Sequence, residues 1–277
     1  MTNLNALMLG LIQGLTEFIP ISSSGHLVIF QHLFGLDDCK QYIVFDIVLH
    51  IGTLVSVLFF YWKDVLGLIK SFFGFLTDLV KGKKVNFKDD GLRVLVSVII
   101  GTIPLVVAVL IKSKVENLFS SLLFVGCALL VTGGILFLTD KINKMEYTIE
   151  NMPYKNAFIV GLFQLFAILP GISRSGSTIF GGVATGLKRE SAVKFSLLLS
   201  ILAILGAAAA SIPELFSETA PSATLFQYIS GAVVAAVSGI FAIKFLVKML
   251  SKGKFKFFAI YSWVVGVVII LISIGVR

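Results

Sequence analysis

GLIQGLTEFIPISSSGHL, residues 10–27, aligns without a gap on GLFQLFAILPGISRSGST, residues 161–178. Gly, Leu, Gln, Ile, Ser, Ser and Gly coincide between the two copies. Each copy lies in an apolar stretch, 4–34 and 157–187, that is interrupted at ISSSGH or at PGISRSGST. The uninterrupted halves are about 15 residues long, roughly 22 Å as helix, which is too short to cross a bilayer. Both stretches are therefore expected to form re-entrant helix-loop-helix hairpins.

Outward from the hairpins lie six longer apolar runs, at about 41–62, 92–111, 118–139, 190–212, 224–247 and 257–275. Each is near the ~20 residues that a crossing helix needs. Three follow each interrupted stretch, so the predicted fold is an all-α integral membrane protein with six transmembrane helices and two re-entrant hairpins. It forms a single membrane domain of two repeats, 1–139 and 153–277. Three is odd, so the second repeat is expected to be inverted. Composition agrees: 57% hydrophobic, only 14% charged and a mean hydropathy of +0.99 exclude an ordinary soluble domain. Segment 64–80 is apolar with spaced charges and reads as an interfacial helix or an extension of the preceding span; the interfacial reading is preferred.

The formal charge of +8 does not point to nucleic acid, because the basic residues lie between apolar runs and suit anionic headgroups. With hairpins that re-enter, loops 63–93, 139–156, 187–194 and 244–256 share one side. They hold every Lys and Arg except Lys40, Lys112, Lys114, Arg174 and Arg277. The positive-inside rule makes that side cytoplasmic and puts both termini outside. No Lys or Arg precedes Lys40, so a cleavable signal peptide is not expected. Cys39 and Cys127 are far apart and lack neighbours at ligand spacing, which argues against a disulfide framework or a zinc site.

If the hairpins enter from opposite faces, their tips meet near the midplane and bring two helix N-termini together. Unpaired N–H groups and the helix dipoles then favour a ligand with more than one phosphate. Arg174, inside the second broken stretch, costs about 2.5–3.5 kcal/mol on insertion scales and needs a partner. A phosphate would serve, and so would Glu17, the only carboxylate of the first broken stretch. Gln13 lies four residues before Glu17 on one helical face, so the two can offer oxygens to a cation or a water. One of Ser22, Ser23 and Ser24 is expected to cap the returning half-helix, which leaves the others available beside Gly25. His26, three residues beyond Ser23, is placed to take its hydroxyl proton, to attack, or to activate water. Asp46 and His50, at i, i+4 spacing, read as a supporting or packing pair.

These residues resemble the membrane undecaprenyl-diphosphate phosphatases associated with bacitracin resistance, over essentially the whole chain. The (Glu/Gln)-x-x-x-Glu element stands here as Gln13 to Glu17, followed by ISSSGH, and the Pro-Gly-x-Ser-Arg-Ser-x-x-Thr element as Pro170 to Thr178. The resemblance implies hydrolysis of undecaprenyl diphosphate to the monophosphate and phosphate, recycling the lipid carrier of peptidoglycan in a bacterial cell membrane. Bacitracin would be met only through that lipid. It also implies a divalent cation, Mg or Ca, held at Glu17 and Gln13. Catalytic roles fall on Glu17, Ser23, His26 and Arg174. Binding roles fall on Gln13, Ser22, Ser24, Gly25, Gly171, Ser173, Ser175, Gly176 and Thr178. Many members carry Glu where this chain has Gln13, which leaves one carboxylate fewer for the metal. A polyprenyl-phosphate transporter or flippase shares the broken-helix architecture and is the rival reading; a passive lipid-binding scaffold gives the buried charges no purpose. A homodimer is compatible with the sequence, although no GxxxG-like face is clear.

Overall fold

Each interrupted stretch breaks ahead of its proline, two residues before Pro20 in the first and four before Pro170 in the second. The computed structural model describes residues 1–36, 42–86, 89–143, 145–212, 223–250 and 254–275, so Cys39, Lys40 and Arg277 lie outside the described residues. Helix α1, Asn3–Phe18, is capped by Thr2 and ends where Ile19 turns extended ahead of Pro20. Helix α2, Ser23–Leu33, returns from the break. It ends in a Schellman turn: Gly35 takes φ 69°, Leu36 N donates to the Gln31 carbonyl and Gly35 N to that of His32.

After α3 (Ile43–Phe60) the chain breaks at Tyr61, and α4 (Trp62–Val80) packs along α5 (Asp90–Thr102). None of the residues of α4 is buried. The second span continues from α5 through a 3-10 turn at Ile103–Leu105, which contains Pro104, into α6 (Val106–Glu116) and a further 3-10 turn, Asn117–Ser120. Helix α7 is Leu122–Lys141.

The second half runs α8 (Tyr154–Phe166), α9 (Arg174–Ala184), α10 (Arg189–Ala210), α11 (Leu225–Leu250) and α12 (Phe255–Gly275). Helix α9 matches α2 in detail. Both have 11 residues, a serine cap, and a Schellman turn closed by a glycine of positive φ, here Gly186. Six helical segments are long and apolar enough to cross a membrane: Ile43–Phe60, Asp90–Ser120, Leu122–Lys141, Arg189–Ala210, Leu225–Met249 and Phe255–Gly275. They fall on the six expected runs. The described residues form no β-strand beyond an isolated bridge between Tyr147 and Leu187.

The two halves interlock by exchange. Helix α1 packs against α11 of the other half, and α8 packs against α5; α3 likewise meets α11 while α10 meets α5, and α7 pairs with α12. Small residues let these backbones touch. A methyl group at Gly10 or Gly14 of α1 would strike the Gly231 or Ala235 carbonyl of α11. Close approach of this kind, rather than squeezing-out of water, is what holds helices together in lipid.

Candidate active site

The two broken stretches meet at their tips. A methyl group on Gly25 would lie 3.0 Å from Gly171 Cα. Gly171 has φ 92° and packs so tightly on α7 that a side chain there would press on Val125 and Ala128. Thr132, also on α7, pins this second loop by donating to the Gly171 carbonyl (2.8 Å) and accepting from Ser173 N (3.0 Å). The loops share one pattern of cap hydrogen bonds. Ser22 accepts from Gly25 N at 3.2 Å and Ser173 from Gly176 N at 3.0 Å, and each cap hydroxyl lies 3.2 Å from that of Ser24 or Ser175. Ser22 is thus the capping serine of its run.

Glu17 is the centre of the arrangement. Its Oε1 accepts from Arg174 Nη2 at 2.7 Å. Its Oε2 accepts from Ser23 Oγ at 2.6 Å and from Gln13 Nε2 at 2.9 Å, with His50 Nε2 3.5 Å away. The carboxylate side chain is 3% exposed and the guanidinium 18%. The ion pair expected between Arg174 and Glu17 is formed through Nη2, whereas Nη1 is buried with no hydrogen-bond partner. Gln13 Oε1 is a second buried atom without a partner.

Glu17, Ser23, His50 and Arg174 lie together on the wall of a cleft of about 500 Å³ formed by α3, α6, α8 and α10. Glu17, Ser23, Ser24, Ser173 and Arg174 are part of its polar lining, while Ile43, Ile47, Val106, Val109, Ile168, Leu202 and Ala207 are among its apolar walls. Lys112, Glu116, Phe119 and Ser211 lie on its wall at the far ends of α6 and α10.

The remaining predicted residues stand behind the wall: Gln13, Ser22, Gly25, His26, Gly171, Ser175, Gly176 and Thr178 are buried but do not line the cleft. Thr178 Oγ1 donates to the carbonyls of Arg174 (2.9 Å) and Ser175 (3.2 Å) and lies 2.6 Å from Ser196 Oγ. The expected pairing of Ser23 with His26 is not formed. Ser23 donates to Glu17, and both ring nitrogens of His26 bond elsewhere, Nδ1 to the Ser22 carbonyl at 2.7 Å and Nε2 to Tyr261 Oη at 2.9 Å. The side chains three residues apart leave the first turn of α2 in different directions, so proximity in sequence does not become contact.

Asp46 and His50 are nearer the chemistry than their spacing suggested, since both line the cleft. The Asp46 carboxylate accepts from Gln31 Nε2 at 2.8 and 3.1 Å, while His50 Nδ1 donates to the Asp46 backbone carbonyl at 2.6 Å. The sequence signal for His50 is its i, i+4 spacing with Asp46, which suits a supporting or packing pair and does not by itself bring either residue to the cleft. Gln31, Thr132 and Tyr261 gave no such signal, because nothing in their local sequence marks them. Among the described residues no three His, Cys, Asp or Glu side chains gather to hold a metal.

Residues 6–268 match the family model of the bacitracin resistance protein BacA. The chain is 40% identical over 275 residues to the undecaprenyl-diphosphatase of Alkaliphilus metalliredigens, covering 99% of this chain and 100% of that one. It is 41% identical over 268 residues to that of Halothermothrix orenii, covering 96% of each, and 40% identical over 277 residues to that of Methanosphaera stadtmanae, covering 98% of each. With a family match across most of its length and relatives aligned end to end, the chain belongs to the BacA family of bacitracin resistance proteins.

Proposed function

We propose that this protein hydrolyses undecaprenyl diphosphate to undecaprenyl phosphate and inorganic phosphate. The observation that carries the reading is the meeting of Glu17, Ser23 and Arg174, from two separate broken helices, on the wall of a mainly apolar cleft. The diphosphate would sit against the cleft-facing part of the Arg174 guanidinium and the N-termini of α2 and α9, where the helix dipoles favour negative charge. The prenyl chain would follow the apolar walls toward lipid.

Ser23 Oγ is the candidate nucleophile. Its proton points at Glu17 Oε2, so Glu17 rather than His26 is the candidate acceptor. Attack on the terminal phosphorus forms an Oγ–P bond and breaks the anhydride P–O bond, and undecaprenyl phosphate leaves with the bridging oxygen. Water then cleaves the phosphoserine to release phosphate. Arg174 and the helix N-termini neutralise the charge that grows on the departing oxygen. Direct attack by water, with Ser23 orienting it, uses the same residues. Ser24 and Ser173 on the wall supply further hydroxyls to phosphate oxygens. Ser22, Ser175, Gly176 and Thr178 shape the two helix starts from behind, and Gly25 and Gly171 let the loops meet.

A divalent cation fits only if substrate helps to hold it. Glu17 and the unpartnered Gln13 Oε1 are the oxygens on offer, which suits Mg²⁺ shared with phosphate and its own waters better than a Ca²⁺ cage of six to eight oxygens. When bound it would supply charge neutralisation at the phosphates.

The matched 11-residue helices and the exchange packing of the two halves support two inverted repeats with re-entrant hairpins. With the basic loops cytoplasmic, both termini lie outside. The far end of the cleft, at Glu116 and Ser211, then opens toward the outer leaflet. Helix α4, with no buried residue, suits the cytoplasmic interface.

The test is phosphate release from undecaprenyl diphosphate by purified protein in detergent, with and without chelator, beside Ser23→Ala and Arg174→Ala. Release that needs metal and disappears in both variants is expected. A folded wild type that binds the lipid yet releases nothing would refute hydrolysis and leave a carrier of polyprenyl phosphate.

A further inference from the structure

We propose that His26 and Tyr261 are positioning residues, a clamp that holds the Ser22 turn from behind the active-site wall and so aims the Ser23 hydroxyl at Glu17. The inference rests on the hydrolase reading above and assigns a role to Tyr261 of the last span.

Ser22 has φ 72° and is the one non-glycine residue among those described with a left-handed backbone. Such a conformation costs about 1–3 kcal/mol in a residue with a side chain and persists only where its surroundings fix it. Its natural relaxation is rotation about the Ser22 N–Cα bond, and with the preceding chain held that rotation would carry the Ser22 carbonyl and the Ser23 backbone and Oγ beyond it away from Glu17. The Ser22 carbonyl is the atom that such a rotation must move. It accepts two bonds from His26, one from the backbone N at 3.1 Å and one from Nδ1 at 2.7 Å.

The second bond fixes the tautomer. A carbonyl only accepts, so Nδ1 carries the hydrogen, and in the neutral ring Nε2 offers its lone pair to the Tyr261 hydroxyl 2.9 Å away. The rings stack at 5.7 Å between centroids, with 8° between their planes. Every polar atom of His26 is therefore occupied, its side chain is buried, and neither nitrogen faces Ser23. The second loop supplies an internal contrast. Its cap Ser173 has an ordinary φ of −72°, and the position matching His26 is Ser177, whose hydroxyl is buried with no partner. The clamp accompanies the strained backbone and is missing where there is no strain.

Phosphate release, substrate KM and the melting temperature in detergent are measured for wild type, His26→Ala, His26→Asn and Tyr261→Phe. Asparagine keeps an N–H donor near the place of Nδ1 but has no basic nitrogen. Misplacement of a reacting group by about an ångström costs on the order of 100-fold, so His26→Ala should lose roughly that in kcat with KM held within about threefold. His26→Asn should stay within about tenfold of wild type, and Tyr261→Phe, which removes one hydrogen bond, should lose about fivefold in kcat at unchanged melting temperature. His26→Asn as inactive as His26→Ala would overturn the positioning role and make His26 a proton carrier. Tyr261→Phe at the wild-type kcat would remove Tyr261 from the clamp, even if the His26 variants fold poorly. A wild type without phosphate release would instead refute the hydrolase reading, so the two failures are distinct.

Discussion

Replacing Arg174 by glutamine removes the positive partner of a carboxylate that is almost wholly out of solvent. Glu17 is 3% exposed and its bond to Arg174 is 2.7 Å long. An exposed pair would contribute at most about 1 kcal/mol, whereas stripping one partner from a buried pair costs about 3–5 kcal/mol, because the other charge stays desolvated. Glu17 keeps its hydrogen bonds from Ser23 and Gln13, which puts the expected loss near the lower end, about 3 kcal/mol. At roughly 2–4 °C per kcal/mol for chains of this order of length, Arg174→Gln should melt about 6–12 °C below wild type in detergent. The double variant Glu17→Gln/Arg174→Gln carries no buried charge and should recover most of that loss, while phosphate release stays absent in both. The assay is a thermal melt of the four proteins of the cycle beside phosphate release. An Arg174→Gln variant that melts with wild type, or a double variant no more stable than Arg174→Gln, would refute a stabilising buried pair.

Gly171→Ala should lower stability by about 2–5 kcal/mol and abolish phosphate release, because a left-handed residue would add ~1–2 kcal/mol of backbone strain to ~1–3 kcal/mol of overpacking against Val125 and Ala128. Gly186→Ala, with a similar φ of 96° but only the Tyr147 ring nearby, should cost less than Gly171→Ala in the same melt and leave release in place. Ala207→Phe narrows the apolar part of the cleft and should raise KM for the long-chain diphosphate by about tenfold, the effect of roughly 1.4 kcal/mol, while a short-chain prenyl diphosphate is turned over as by wild type. Lys194→Ala breaks a bridge to Asp64 whose side chains are 32% and 36% exposed, so its melt should shift by less than about 1 kcal/mol of stability, with activity unchanged.

How much of this was legible from the chain alone differs between fold and site. Hydropathy gave the six spans because crossing length is a local property, set by a run of apolar side chains and the thickness of lipid. A serine cap for the first returning helix was legible too, since the cap bond reaches only three residues along the chain, but that Ser22 is the one of its run and that Ser173 caps the second helix came from the structure. The boundaries of the second span were less so, because Pro104 tightens the helix locally without ending its apolar run.

Within the site, sequence alone determined that Gln13 and Glu17 share a helical face, and it gave Glu17 and Arg174 as the charges in need of partners. Which partners they take was decided by tertiary structure. Glu17 and Arg174 are 157 residues apart in the chain yet form one ion pair, Ser23 turns to Glu17 instead of to the histidine three residues on, and that histidine turns to Tyr261, 235 residues away. Spacing along a helix fixes where a side chain starts but not where its polar atoms end. That is settled by the packing of α7 and α12 against the loops and by the high cost of leaving a buried polar atom unpaired.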